Sequence, residues 1–507
     1  MTASRQQLPR TDGAIHGRFK TVVAATGGLL LSACAAGPNF KAPAPPSVTS
    51  YTAHKLTATV ATPNVIGGEA QRFDAADIPG DWWTLFRSPK LNALVETSLR
   101  NNHDLRAAQA ALAAARETAA ASRGAFLPSV NASYSATRQR QSGALAPTPS
   151  SNATQFNLFT PQVSVSYTLD VFGLNRRTAE AAQAQAQAVG FQMLAARLTL
   201  TSNVVVAAIQ QASIDDQIAA IGELIDADSE IVEILRYQRA KGYASGLDLA
   251  AQQAQLAQAQ ASLPPLLKQA AQQRNLLAVL TGQYPSEVPV ESFSLASLQL
   301  PTDLPLSLPS SLVAQRPDVG QAEANLHAAS AQVGIAAANR LPNIQLTANA
   351  GSTGLSFANT FGAGEAFWSL GAAVTAPIFE GGALRHQERA ARDAFRQSSE
   401  QYRSTVLVAF QNVADTLAAI DQDAHALQAT SAAVDAAKAT LDLSGRQWKA
   451  GYASYLALLN AEQAYQQARI AVVQAKAARY ADTAALYQAL GGGWWRRPDL
   501  AKDANEK

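Results

Sequence analysis

The residues that could carry chemistry are few and badly placed for catalysis. Six histidines occur: His16, His54, His103, His327, His386 and His425. They are scattered and offer no ligand spacing for a metal. His327 and His386 read as surface residues of long helices. Gly491-Gly492-Gly493 is not followed by lysine and does not stand between a strand and a helix, so it is no phosphate loop. No Ser/His/Asp or Cys/His arrangement can be assembled. The net charge of +2 gives no electrostatic case for nucleic acid. The expectation is a protein that is not an enzyme and uses no cofactor or metal.

Cys34, the single cysteine, is the exception, because its neighbourhood prescribes a modification. Arg18 and Lys20 precede an apolar stretch, Val22 to Leu31, that ends in Leu31-Ser32-Ala33-Cys34. Positive residues, a short apolar core and small residues at the cut make a bacterial secretory signal, 1–33. The last four residues resemble a lipobox, which implies a covalent lipid (diacylglycerol and N-acyl) on Cys34. The alternative is a buried N-terminal helix with an incidental cysteine. Ala35 follows where an aspartate would argue for inner-membrane retention, so the resemblance to bacterial lipoproteins points to the outer membrane.

These residues must be positioned by an unusual body. Only 15% of the 507 residues are charged, while Ala and Gln abound. Beyond the N-terminus no run approaches the ~20 continuous apolar residues of a transmembrane helix, so any crossing falls to strands. Four segments can do this. Val163, Val165, Tyr167, Leu169 and Val171 alternate strictly with polar residues, as do Val130, Ala132, Tyr134 and Ala136. Ile344, Leu346, Ala348 and Ala350 repeat the pattern, and so do Trp368, Leu370, Ala372, Val374, Ala376 and Ile378. Period-two alternation over about ten residues fits a tilted strand with one greasy face crossing a bilayer.

The rest reads as helix. Ser88-Pro89 opens one that runs toward Phe126. From about Arg176 to Arg239 sixty-odd residues contain no proline, ~95 Å of helix. The turn Lys241 to Gly246 reverses the chain, and Pro264-Pro265 must break or kink the return helix. The second half repeats the first. A shift of 214 residues lays Asp104 on Asp318 and Leu127-Pro128 on Leu341-Pro342. A shift of 209 lays Gly242-Tyr243-Ala244-Ser245 on Gly451-Tyr452-Ala453-Ser454. Ala457, Ala461, Ala464, Ala468, Ala471, Ala475 and Ala478 form a heptad seam that predicts close helix packing.

The expected organisation follows. Residues 34–88 are an extended N-terminal segment that carries the lipid. Residues 89–283 are a first repeat, with strands about 128–140 and 160–172 and a hairpin tip about 241–246. A Pro-rich linker, 284–311, leads to a second repeat, 312–490, with strands about 342–354 and 367–379 and a tip about 450–455. A tail, 491–507, ends the chain. The fold class is mainly α with membrane β.

Four amphipathic strands cannot close a barrel alone, and open edges are not tolerated in lipid. The lipobox, Trp82-Trp83, the duplicated helix–strand–strand–helix order, the two Gly-Tyr-Ala-Ser turns and Leu490-Gly491-Gly492-Gly493-Trp494 resemble the TolC-like outer-membrane efflux factors, in their NodT-like lipoprotein branch. The resemblance covers Cys34 to about Trp495. It implies a homotrimer whose four strands per chain make a 12-stranded β-barrel, continued by a long periplasmic α-helical barrel. It further implies a passive conduit for small molecules, a periplasmic adaptor, an inner-membrane transporter of the RND type, and outer-membrane lipid as surroundings, with the linker 284–311 equatorial.

By the same resemblance Gly242, Tyr243, Ala244, Ser245, Gly451, Tyr452, Ala453 and Ser454 are adaptor-docking tips. Asp248, Asn460, Tyr237 and Arg446 are aperture candidates. Asn460 stands where many relatives have aspartate, and Asp248 also reads as a helix-start carboxylate stabilised by the dipole. Two other readings use the same elements. One is the outer-membrane channel of a type I protein secretion system; the other is a periplasmic coiled-coil scaffold or adaptor, against which the bilayer-length strands argue.

Overall fold

The structure, a computed structural model, describes residues 35–54, 56–140, 142, 154–287 and 293–505. Cys34 and the signal segment 1–33 lie outside the described residues, as do most of the loop between the first two predicted strands and residues 288–292 of the linker.

The chain divides into two compact units. The first comprises the N-terminal stretch to Ala42, Ala115–Ala186 and Asn325–Ser399. It holds a four-stranded antiparallel sheet of β2 (Ser129–Arg140), β3 (Gln155–Leu169), β5 (Asn343–Ser352) and β6 (Ala366–Thr375), in the order β2-β3-β5-β6. The register joins apolar partner to apolar partner. Val130 faces Val165, which faces Ala348, which faces Leu370; Ala132, Val163, Ala350 and Trp368 form the next such row. Between these rows run polar ones: Asn131, Ser164, Asn349 and Ser369, and then Ser129, Ser166 and Thr347. A one-residue slip in any strand would invert this, so the pattern fixes the register. Gln345 Nε2 donates to Ser166 Oγ at 2.9 Å, and Asn349 Nδ2 to Ser369 Oγ at 3.2 Å, lacing the polar face.

Several strand ends differ from the sequence reading. Strand β3 begins at Gln155, because Phe156 and Leu158 sit out of phase with the alternation yet pair with Gln139 and Thr137. It stops at Leu169, since Asp170 turns away to accept the backbone N–H groups of Asn175 and Arg176, both at 2.9 Å, at the start of the next helix. Strand β6 ends at Thr375, two residues before Pro377, which has no N–H to give a ladder. β5 likewise spans 343–352.

The second unit comprises Pro43–Ala114, Gln187–Ala324 and Glu400–Lys507. Short strands β1 (Arg72–Asp74) and β4 (Asp303–Pro305) pair in parallel here, which the alternation search did not reveal. Helix α1 (Pro89–Asn101) is capped by Ser88 and stops at Asn102, so the single helix predicted to Phe126 is two. Asn102 caps α2 (His103–Arg123) by accepting from Leu105 N at 3.0 Å while its amide donates to Leu280 O, and that double duty breaks the helix. α5 (Pro309–Gln315) and α6 (Pro317–Ala338) follow β4.

The long hairpins carry the duplication in their lengths. α3 (Leu174–Ala240) and α7 (Ala383–Lys449) have 67 residues each; α4 (Gly246–Leu280) and α8 (Tyr455–Ala489) have 35 each. Pro264 and Pro265 lie inside α4 without ending it. Ala259 before them and Ala270, Leu277 and Ala278 after them are buried, so packing on both sides holds the helix through the missing N–H groups. α3 does contain an 18-residue stretch apolar enough by composition to cross a membrane; more than half of it is buried in the protein, which marks it as core. The alanine seam of α8 is only partly packed inside the protomer: Ala461 is buried, Ala468, Ala471 and Ala475 are half-buried, and Ala457, Ala464 and Ala478 are exposed. A short terminal helix, α9 (Pro498–Asn505), ends the described chain.

The N-terminal segment does more than lead to the body. Arg479 of α8, fully buried, donates to Gly67 O at 2.9 Å, Glu69 O at 2.5 Å and Thr59 Oγ1 at 3.1 Å. Gln71 in turn donates to Thr483 Oγ1 at 2.9 Å. Trp82 stacks on Tyr487 with ring centres 5.2 Å apart, and Phe86 lies against Tyr480. The Trp-Trp cluster is thus core, wedged on α8.

Candidate functional site

Three places bear on function: the sheet, the hairpin tips and the anchor of the N-terminal segment. The apolar face of the sheet is bare in the protomer. Trp368, Leu370 and Val374 are each more than 60% exposed, as is Val130, while the opposite face is polar. A soluble domain would bury such a face; lipid is the solvent it suits. Both edges, β2 and β6, have no strand partner among the described residues, so the sheet needs further strands before it can sit in hydrocarbon.

The two tips share one geometry. Each long helix ends in a glycine with positive φ, +79° at Gly242 and +77° at Gly451. Tyr243 N donates to Gln238 O and Tyr452 N to Gln447 O, both at 2.8 Å, the six-to-one bond of a Schellman turn. Ser245 and Ser454 then cap the return helices by accepting from Asp248 N at 3.0 Å and Ala457 N at 3.3 Å. Tyr243 and Tyr452 project from these turns 84% and 88% exposed. Alanines 244 and 453 complete the turns.

The aperture candidates lie on four different helices. Asp248 forms a capping box with Ser245, its Oδ2 accepting from the backbone N at 3.3 Å and from Oγ at 2.7 Å. Asn460 and Arg446 are exposed on their helices. Tyr237 is exposed with Lys241 Nζ 5.8 Å from its ring centre. No hydrogen bond, ion pair or ring contact links any two of the four among the described residues.

The start of the described chain is clamped. Ala36 N donates to Phe172 O at 2.9 Å, and a side chain on Gly173 would collide with Ala35. Buried Arg177 donates to Ala36 O at 3.2 Å, Asn39 Oδ1 at 2.7 Å and Glu180 Oε2 at 2.7 Å. His327 pairs with Glu180 at 2.9 Å and stacks on Phe40 with centroids 4.3 Å apart. It is therefore a part-buried clamp residue, not the surface histidine its spacing suggested; the phenylalanine six residues past the predicted lipidated cysteine was the available signal. His386 is exposed.

A model of the outer membrane efflux protein family matches residues 94–283 and 308–492, nearly all of both repeats. The chain belongs to that family. Among relatives, it is 31% identical to the pyoverdine export outer membrane protein OpmQ of Pseudomonas aeruginosa, over 84% of this chain and 90% of that one. It is 29% identical to the outer membrane protein OprJ of the same organism, over 92% and 94%. Among solved structures, the outer-membrane channel OprN superposes with a TM-score of 0.80 at 26% identity, covering 91% of this chain and all of that one. The open state of the Neisseria gonorrhoeae MtrE outer membrane channel gives 0.78 at 26%, covering 91% and 99%. The Campylobacter jejuni CmeC channel, 22% identical with a TM-score of 0.83, shares the fold. As an outer membrane efflux protein, this chain is a transport component and not an enzyme. Its fold, mainly α with a membrane sheet and duplicated halves, is that of the channels it resembles.

Proposed function

We propose that three copies of this chain pool their strands into one 12-stranded barrel and act as the passive outer-membrane conduit of a tripartite efflux system. The observation that carries this is the four-stranded sheet with a bare apolar face, a laced polar face and two open edges. Pooling four strands per chain removes every edge and turns the polar face to an aqueous lumen. The partly exposed alanine stripe of α8 supports the same reading, because small residues let a neighbouring helix approach closely.

On this reading Gly242, Tyr243, Ala244 and Ser245, with Gly451, Tyr452, Ala453 and Ser454, receive a periplasmic adaptor, which joins the channel to an inner-membrane transporter of the RND type. The exposed tyrosines suit such docking, since an aromatic at a rigid turn offers large contact area at little entropic cost. Asp248, Asn460, Tyr237 and Arg446 would line the resting aperture once three protomers meet. Cys34 carries the lipid (diacylglycerol and N-acyl), and the clamp on residues 35–40 supports this by fixing the first residues after it beside the end of β3. Energy and substrate choice lie with the partners.

The test is the native mass of the detergent-solubilised mature protein. Three copies are expected. A stable monomer would leave the sheet edges unpaired and overturn the conduit.

A further inference from the structure

α3, α4 and α8 bring polar side chains into one otherwise apolar layer near the tips. On α8, Tyr455, Leu459 and Glu462 follow at i, i+4 and i+7 and so share a face; Asp228, Val232 and Leu235 do the same on α3. Val232, Leu235, Leu249, Tyr455 and Leu459 form a buried cluster, with Trp448 of α7 packed against it. Within it Tyr455 Oη donates to Gln252 Oε1 at 2.5 Å, and Gln252 Nε2 donates to Asp228 Oδ1 at 2.8 Å. Asp228 is fully buried and Glu462 is 9% exposed. Asp228 Oδ2 has no hydrogen-bond partner among the described residues.

We propose that Asp228 and Glu462 form a proton-operated latch, which holds the α3–α4 hairpin against α8 while the layer keeps a proton and loosens it when the proton leaves. This rests on the conduit reading, for which it supplies a regulator of the tips. Asp228 acts on Glu462, and both act on Tyr455 of α8, as does Asp248 of α4; no cation is among the groups that act on these residues. Apart from the Gln252 amide that donates to Asp228, a second carboxylate charge in this layer meets desolvation and repulsion. Burial first, and the Asp228 charge second, push Glu462 up to about 7; burial pushes Asp228 up as well. Both groups hold protons more tightly in the packed state, so packing is favoured at low pH and is lost as pH rises through about 7. The polar chain from Tyr455 to Asp228 also sets register, since sliding either hairpin would strand buried polar groups.

The experiment uses the full chain in nanodiscs with Tyr243→Cys and Tyr452→Cys carrying nitroxides, diluted with unlabelled chains. Double electron–electron resonance should show the tip distance lengthening as pH rises from about 4.5 to about 7, with little further change by about 8.5. Glu462→Gln, neutral at every pH, should keep the acid distribution throughout; Asp228→Asn should move the transition to lower pH, because it removes the charge that raises Glu462. A wild-type distance that ignores pH, or an unaltered transition in both variants, overturns the latch. Planar-bilayer conductance of the same preparations separates the two readings. A distance transition without conductance in any variant removes the conduit and leaves the latch, whereas conductance without a transition does the reverse.

Discussion

The Arg177 guanidinium donates to Asn39 Oδ1 at 2.7 Å, joining the start of the long helix α3 to a residue five places beyond the predicted lipidated cysteine. Arg177 is 4% exposed and also holds Glu180, which holds His327. Removing it leaves the part-buried Glu180 carboxylate with His327 alone and strands Asn39 Oδ1 and the carbonyls of Ala36 and Gly37. Arg177→Ala should therefore cost roughly 3 kcal/mol. Limited proteolysis should then cut within residues 35–45 before anywhere else, and a variant as resistant as the wild type would show the clamp to be idle.

Leu370 and Ser369 are neighbours on β6 that face opposite sides of the sheet. Arginine at the centre of a lipid-facing strand costs about 2–4 kcal/mol, while the lumen tolerates charge. Leu370→Arg should reduce folding into vesicles by that amount and Ser369→Arg should leave it nearly unchanged. Equal effects would mean that the two faces are not divided between lipid and water.

How much of this could be read from sequence depended on whether a residue served one purpose. The strands were legible because Val163, Val165, Tyr167 and Leu169 only had to face lipid. Their ends were not, because Asp170 caps a helix and Pro377 denies a ladder bond, and neither duty shows in alternation. The tips were legible because glycine at positive φ leaves its mark twice, 209 residues apart. Arg479 was invisible: its acceptors are carbonyls about 410 residues away, and backbone oxygens carry no sequence signal. The alanine seam was legible in part. Its period is real, but the buried face of α8 near the tip runs through Tyr455, Leu459 and Glu462, and a heptad of alanines says nothing about which chain it meets. Gln252 and Glu462 look like solvated helix residues until the three helices enclose them.

Both tip glycines stand in open space, with no atom near enough to touch an added Cβ. The cost of Gly242→Ala or Gly451→Ala is then purely the left-handed backbone, about 1–2 kcal/mol each. The two should be equal and additive, measured by urea unfolding. If the aligned turns also dock the adaptor, each variant should weaken capture by a purified adaptor more than its stability loss explains; matched losses would confine the turns to a structural role.

Asp423 on α7 faces Asp482 on α8 with Arg479 nearby. Burial first, then the hydrogen bond and charge of Asp482, push Asp423 up to about 7. A carboxyl raised in the folded state stabilises most while the unfolded group is still protonated, and that contribution drains away as pH climbs from about 4 to about 7. Asp423→Asn keeps the neutral form throughout. Relative to wild type it should gain stability steadily across that window and hold the gain above it, as read from urea midpoints at pH about 4, 6 and 8. Glu462 drains over the same range, but it is unchanged between wild type and Asp423→Asn and cancels from the comparison. Asp482→Asn should narrow the window from the other side, because it removes the repelling charge while leaving the burial in place. A constant offset between wild type and Asp423→Asn at all three pH values would mean that Asp423 is already ionised in the folded protein, with Arg479 as its working partner.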